Sequence, residues 1–322
     1  MEYFREIGSL YEIDPAALKD MPKEASILHL SEVEKYGKRH VQYTASGREA
    51  IALALQALEE ERPGLAKRCL LPAYMCDTVF FPFERADWKI SFYHVNRRLE
   101  ADGEELERLV EEIQPGLIFV HAYYGVDTLR SIRPFLLKQK GRGVCIMEDV
   151  TQSYYLEGAG CEADYVVGSL RKWYPIPDGG FVASDGYLPL KELPLEAEFT
   201  ASRLELQEEK WKYLNERKEV QERQAQKESY LQKNRETERQ LDDYAGVRGL
   251  SREAAYLLQR ADEAVCRQRR RENCAFLYGV LAGKTQAVPI LETGRDAAPL
   301  YLAVYTPRRE ELQYFLGKED IY

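Results

Sequence analysis

Lys172 stands three residues after Ser169 and seven before Gly179, inside the stretch VVGSLRKWYPIPDGGFVAS. A short apolar run ends just before it, so the amine falls at the mouth of a sheet rather than in its core. A lysine desolvated at such a place can lose its proton and condense with an aldehyde. Asp149 closes a second apolar run, VCIMED. A carboxylate at the carboxyl end of a central strand sits where α/β sheets bind ligands, and burial there calls for a positive partner. His121 and Tyr123 close a third run, LIFVHAYYG, and Ser46-Gly47 opens the helical pattern SGREAIALALQAL. Free N–H groups at a helix start form an anion site. Each residue also has a plain structural reading. Ser46 with Glu49 is a capping box, Asp149 is a turn cap, and His121 is a hydrogen-bonded strand end.

The conjunction is more specific than any member. An amine for an aldehyde, an acid to keep a pyridine nitrogen protonated and an anion site for a phosphate are the parts that a pyridoxal phosphate site needs. Each occurs once, at a strand end or a helix start.

The elements that must position these residues follow from the pattern between about residues 44 and 184. RCLLP, KISFYHV, GLIFVHAYYG, GVCIMED, ADYVVGS and GGFVAS read as strands. CDTVFFPFERA, DGEELERLVEEI and LRSIRPFLLKQK read as helices, the first interrupted by Pro82. Continuous apolar strands separated by helices predict an α/β fold, a mostly parallel sheet covered on both faces. From about 196 to 243 the chain is rich in Glu, Lys, Arg and Gln, with no glycine or proline. That stretch reads as a long solvated helix or a helix pair laced with i,i+4 pairs. SREAAYLLQRADEAVCRQRRRENCAFLYGVLAG then reads as one more long helix, LYLAVYT as a strand and PRREELQYFLG as a helix. GAGCEA fits a G-x-G-x-x-A fingerprint, but strand-like DYVVG follows at once, so it reads as a turn.

The chain has 322 residues and a net charge of −9, which argues against a nucleic-acid binder. Six scattered cysteines form no CxxC pair and stand apart from the four histidines. They predict free thiols in a reducing compartment, with no metal and no disulfide framework. No segment reaches the roughly 20 apolar residues of a membrane span. A cytoplasmic protein is expected.

EDVTQ, Glu148 to Gln152, resembles the Glu-Asp-Ala-Ala-Gln signature of the DegT/StrS-type sugar aminotransferases, a fold-type I pyridoxal phosphate family. VHAYYG resembles that family's Val-His-Leu-Tyr-Gly strand end, and GSLRKWYPIPDGG its serine, lysine and acid-Gly-Gly run. LLPAYMCDT resembles the segment that holds the aromatic stacked on the cofactor, and SGREAI the phosphate turn. The resemblance implies that Lys172 anchors the cofactor and shuttles a proton, and that Asp149 pairs with the pyridinium nitrogen. It implies that Gln152 contacts the ring hydroxyl region, that Tyr74 stacks on the ring, and that Gly47, Arg48 and Ser169 hold the phosphate. It further implies a homodimer in which Arg248, in YAGVRGLS, reaches a neighbouring subunit's phosphate. The implied reaction moves an amino group from an amino acid, in that family usually glutamate, to a keto group of a nucleotide-linked sugar.

Several residues depart from the family pattern. Ser169 is closer to the lysine than in most sugar enzymes, Arg48 replaces a small hydroxyl residue, and Gly246 stands where an asparagine is expected. The chain stops at KEDIY, where the family continues, which implies a reduced small domain or a wall lent by another chain. The expected organisation is a large cofactor domain over 1–195, with an N-terminal arm over 1–40. A charged helical segment over 196–247 and a long helix with a shortened small α+β domain over 248–322 complete it. Two other outcomes share these residues: elimination, racemisation or decarboxylation on the same cofactor, and a catalytically weak scaffold.

Overall fold

The computed structural model describes residues 6–8, 10–22, 31–189, 192–216, 219–283, 286–290 and 298–322. A short helix α1 (Ser31–Glu34) precedes strand β1 (His40–Thr44) and helix α2 (Gly47–Glu61). Then come β2 (Arg68–Pro72), α3 (Phe80–Arg85), β3 (Lys89–Tyr93), α4 (Gly103–Ile113), β4 (Leu117–His121), α5 (Arg133–Lys140), β5 (Cys145–Asp149), β6 (Tyr165–Ser169) and β7 (Gly180–Ser184). These seven strands form one sheet in the order β1-β7-β6-β5-β4-β2-β3. The run from β3 to β6 is parallel throughout, and β7 lies antiparallel to both of its neighbours.

The parallel strands β4 and β5 are buried at every position, as strands covered on both faces must be. Alternate residues supply two cores. Leu70, Ile118, Val120, Ile146 and Val166 face one side, with Leu106 of α4 and Phe135 and Leu136 of α5. Cys69, Leu71, Leu117, Phe119, Met147, Tyr165 and Val167 face the other, against α2 and Phe83 of α3. The α/β reading therefore holds, and the strands read from the sequence are all present. β1 lay outside that reading. Its sequence, HVQYT, is half polar, because it is an edge strand that is fully buried only at Thr44.

The charged stretch becomes two helices, α6 (Ala197–Asn215) and α7 (Val220–Asp243), packed antiparallel as a hairpin. The expectation of a solvated face is corrected here. Phe199, Thr200, Arg203, Leu206, Gln207, Lys210 and Tyr213 form a buried stripe along α6, at spacings of three and four residues. The single long helix expected next is also corrected. It is two helices, α8 (Arg252–Gln259) and α9 (Glu263–Leu281), and the Asp262 carboxylate caps the second by accepting from Val265 N–H at 3.0 Å. A two-stranded ribbon of β8 (Val288–Pro289) and β9 (Val304–Tyr305) and a helix α10 (Arg309–Lys318) follow. Among the described residues no helix is long and apolar enough to cross a membrane. Among the described residues no cysteine is in a disulfide; Cys69, Cys145 and Cys274 are buried and Cys76 and Cys161 exposed.

Candidate active site

The register of the parallel strands assembles the site. His121 pairs with Asp149 across β4 and β5, and Asp149 pairs with Val167 across β5 and β6. His121, Asp149 and Ser169 therefore occupy the last positions of three adjacent strands. By strand alternation they project to the side covered by α2, the side of Phe119, Met147 and Val167. The opening of α2 comes to meet them. A Cβ built on Gly47 would lie 3.2 Å from Ser169 Cβ, so backbone and hydroxyl residue touch there. The Gly-Gly turn exists for the same approach. A Cβ on Gly180 would fall 2.4 Å from the Ser46 carbonyl, and Gly179 N–H donates to Ala45 O at 2.7 Å.

At the head of α2, Ser46 Oγ accepts from Glu49 N–H at 3.3 Å and donates to Glu49 Oε2 at 2.7 Å. The first helical bond runs from Ala50 N–H to Ser46 O. The Gly47 and Arg48 N–H groups precede it and point out of the helix start, as anion donors do.

Asp149 is 5% exposed. Its Oδ1 accepts from Thr151 N–H at 2.8 Å, and its Oδ2 lies 3.6 Å from His121 Nδ1. That ring nitrogen is 3.0 Å from the Asp149 carbonyl. A carbonyl only accepts, so Nδ1 carries the hydrogen. The imidazole thus braces the strand end and lies beside the carboxylate.

Lys172 ends a single 3-10 turn after β6. The turn is tied on several sides. Ser169 N–H donates to Thr151 Oγ1 at 3.0 Å and Leu170 N–H to Gly179 O at 3.0 Å. Trp173 Nε1 donates to Thr151 O at 2.8 Å, while the Lys172 carbonyl accepts from Tyr11 Oη at 3.1 Å and Arg270 Nη2 at 3.4 Å. Lys172 is an exposed residue, yet protein crowds its amine. Desolvation lowers its pKa first, and the neighbouring Arg171 lowers it further, against a raising influence from Glu238. A larger neutral fraction is what a nucleophilic amine requires.

The remaining residues singled out in the sequence divide. Tyr74 is half exposed. Its hydroxyl lies 3.1 Å from that of Tyr124, and its ring centroid is 5.8 Å from that of Tyr123. Gln152 Oε1 accepts from Tyr124 N–H at 3.1 Å, which ties it to the same tyrosine group. The side chains of Arg48 and Arg248 are engaged elsewhere. Arg48 pairs with Asp242 and, at 3.3 Å, with Glu238, both on α7. Arg248 is buried and pairs with Glu196 and, at 2.6 Å, with Glu49 of its own chain, stacked on Tyr244. Within the single chain these partners hold the guanidinium that the resemblance assigns to a neighbour's phosphate. The acid of the acid-Gly-Gly run, Asp178, is a tie: it accepts from Ser251 N–H at 2.8 Å and Thr200 Oγ1 at 3.1 Å. Burial raises its pKa to about 6 despite those bonds.

Sequence reasoning missed Arg171, Glu238, Tyr11 and Arg270. Arg171 adjoins the lysine and could have been flagged. The other three come from far along the chain and carry no local signal.

No family model and no curated protein matches the chain. Solved structures do. The sugar aminotransferase CalS13 from Micromonospora echinospora superposes with a TM-score of 0.58 at 19% identity, over 99% of this chain and 84% of that one. A DegT DnrJ EryC1 StrS aminotransferase from Brucella abortus gives 0.55 at 18% identity, over 94% and 78%. Helicobacter pylori PseC, an aminotransferase involved in the biosynthesis of pseudoaminic acid, gives 0.60 at 13% identity, over 98% and 82%. The chain has the fold of these enzymes, the fold that the sequence resemblance implied.

Proposed function

We propose that the chain is a pyridoxal phosphate-dependent aminotransferase that moves an amino group from an amino-acid donor, in our reading glutamate, to a keto group of a nucleotide-linked sugar. One observation carries the proposal: His121, Asp149 and Ser169 end three adjacent parallel strands on the side of α2, whose first N–H groups and the Lys172 turn flank them. The fold shared with sugar aminotransferases supports the choice of reaction.

The residues present fit this cofactor. Glycine at 47 lets the head of α2 close on Ser169, where a Cβ would press at 3.2 Å, and so sets the first N–H groups of the helix beside that hydroxyl residue, a donor set that suits a phosphate. Asp149, almost fully buried, has a backbone N–H and an imidazole edge as partners and would gain a cationic one. When bound, the cofactor supplies an electron sink for the carbanion formed at the substrate carbon. Lys172 would anchor it through Nζ and, once released, accept and return the substrate proton. Asp149 would hold the ring nitrogen protonated. Gly47, Arg48 through its N–H, and Ser169 would bind the phosphate, while Tyr74 would cover the ring and Gln152 contact its hydroxyl region. A homodimer in the cytoplasm belongs to the same proposal, without Arg248 as the cation crossing between subunits.

The test is direct. Protein incubated with pyridoxal phosphate and reduced with borohydride should carry the adduct on Lys172 by peptide mass spectrometry. Amino transfer from glutamate to a keto nucleotide-sugar should follow, and Asp149→Asn should retain the adduct while losing most turnover. Absence of an adduct, or an adduct on another lysine, overturns the proposal.

A further inference from the structure

The α6–α7 hairpin reaches the candidate site through one carboxylate. Glu238 of α7 is gripped by three guanidinium groups from three elements. Arg171, next to Lys172, bonds its Oε1, Arg203 of α6 bonds the same oxygen at 3.0 Å, and Arg48, at the head of α2, reaches Oε2 at 3.3 Å. Asp242, one helical turn on, takes the other nitrogen of Arg48. Arg203 is itself anchored, donating to Pro177 O at 3.2 Å, Asn234 Oδ1 at 3.1 Å and Thr237 Oγ1 at 3.0 Å. The head of α2 and the Lys172 turn, which the sheet brings together, are thus fastened a second time by a carboxylate from outside the sheet.

We propose that Glu238 is a positioning residue for Lys172: by clasping Arg171, Arg48 and Arg203 it fixes the turn that presents the amine and sets the net charge that the amine faces. This rests on the reading of Lys172 as the reactive amine. The polar and charged groups around the amine come from every side of the turn. Arg171 lies on its own element, Arg48 on α2, Glu238 on α7, and Cys76 on the loop after β2, while Tyr11 and Arg270 of α9 hold its carbonyl and Asp149 ends the neighbouring strand. The cations outnumber the carboxylates of α7 in this group, so each carboxylate offsets repulsion that Lys172 would otherwise feel. Burial pushes the pKa of Glu238 up, but Arg171, Arg203 and Arg48 outweigh it and hold it at about 2, so Glu238 itself stays ionised at every pH at which an amine titrates.

The geometry predicts opposite effects from the two halves of one ion pair. Glu238→Gln removes a negative charge and leaves the shape, so the Lys172 amine should titrate at lower pH. Arg171→Gln removes a positive charge from the same contact, so the amine should titrate at higher pH. A purely structural tie would move both variants the same way, since each breaks the same bond.

The experiment is reductive methylation with formaldehyde and cyanoborohydride across a pH series, read at Lys172 by peptide mass spectrometry. Lys35, in a separate cluster beside Glu263, is the internal control and should not move. Glu238→Asp and Arg171→Lys, which keep the charges, should restore the wild-type midpoint, and they carry the test if a glutamine variant does not fold. Midpoints that shift together, or stay where they are, overturn the proposal. The probe is formaldehyde, so the result stands apart from pyridoxal phosphate binding. Opposite shifts in a protein that takes up no cofactor would uphold Glu238 and overturn only the cofactor reading.

Discussion

The sheet and the α6–α7 hairpin bury side chains by opposite chemistry. At the sheet, Phe119, Met147, Val167 and Leu71 meet α2 and α3 through apolar surface alone, with Phe119 edge-on to Phe83 at 5.6 Å. Along the hairpin the buried stripe includes Arg203, Gln207 and Lys210. Gln207 bonds Tyr11 O and Ile176 O, and Lys210 Nζ bonds Gly8 O at 3.1 Å, Leu10 O at 2.7 Å and Glu6 at 2.9 Å. Apolar burial is non-directional and tolerates small shifts. A polar interface holds only where donors and acceptors meet. The hairpin is therefore pinned in one register, and one of its pins, Glu238, lies at the Lys172 turn.

The largest expected effect separates the two kinds of burial. Phe119→Ala should lose about 3–5 kcal/mol in urea unfolding, from lost transfer energy and the cavity left behind. The loss should change little with salt, and no second truncation should recover it. Recovery of stability by added salt would show that charge, and not packing, dominates the sheet.

Lys210→Met should cost roughly 2–3 kcal/mol, below the usual cost of breaking a buried pair, because Lys227 still lies 3.6 Å from Glu6. Here a second change should help. Glu6→Gln added to Lys210→Met removes the stranded charge, so the double variant should be more stable than the single one. A single variant as stable as wild type, or a double one that is worse, would break the comparison, because the hairpin would then not depend on its charge pairs.

The same contrast explains what was legible in the sequence. LIFVH and CIMED read as buried strands because every residue but the last one or two is apolar, and the chemistry stands at those last positions. The placement of Lys172, Ser169, Gly47 and Asp149 at strand ends and turns was legible because each lies within a few residues of a turn or cap that local spacing reveals. The side-chain partners of Arg48 and Arg248 were not legible because they are remote: Glu238 is 190 positions from Arg48, and Glu49 is 199 from Arg248. The burial of α6 was hidden because its inward stripe carries Arg203, Gln207 and Lys210, which look like solvent-facing residues until their partners are known. The break between α8 and α9 was hidden because apolar spacing runs through it, and only the Asp262 cap marks the new start.

The smallest expected effect concerns the sign of pH dependence in the two regions, read from one acid in each. Glu148 of β5 is fully buried. Desolvation, only partly offset by Arg133 and the Gly160 N–H, pushes its pKa up to about 7. Its raised pKa means that the folded state holds a proton that the unfolded chain has released. The stabilisation is fully present below about 4.5 and is lost as pH rises through about 7. Glu238 behaves in the opposite sense. Its contribution is present above the unfolded value and is lost only as pH falls through about 2. Between pH 4.5 and 7, then, the sheet acid should erode stability while the hairpin acid changes nothing. Glu148→Gln keeps the shape and never ionises. Relative to wild type it should gain on the order of 2 kcal/mol between pH 5 and pH 8, because each pH unit separating the folded and unfolded titrations is worth about 1.4 kcal/mol. Glu238→Gln should show a constant offset over that range. Urea unfolding of the three proteins at pH 5 and pH 8 measures both. A flat Glu148→Gln difference would mean that Glu148 is ionised in the folded state, with Arg133 as a full partner, and that the sheet tolerates charge as the hairpin does.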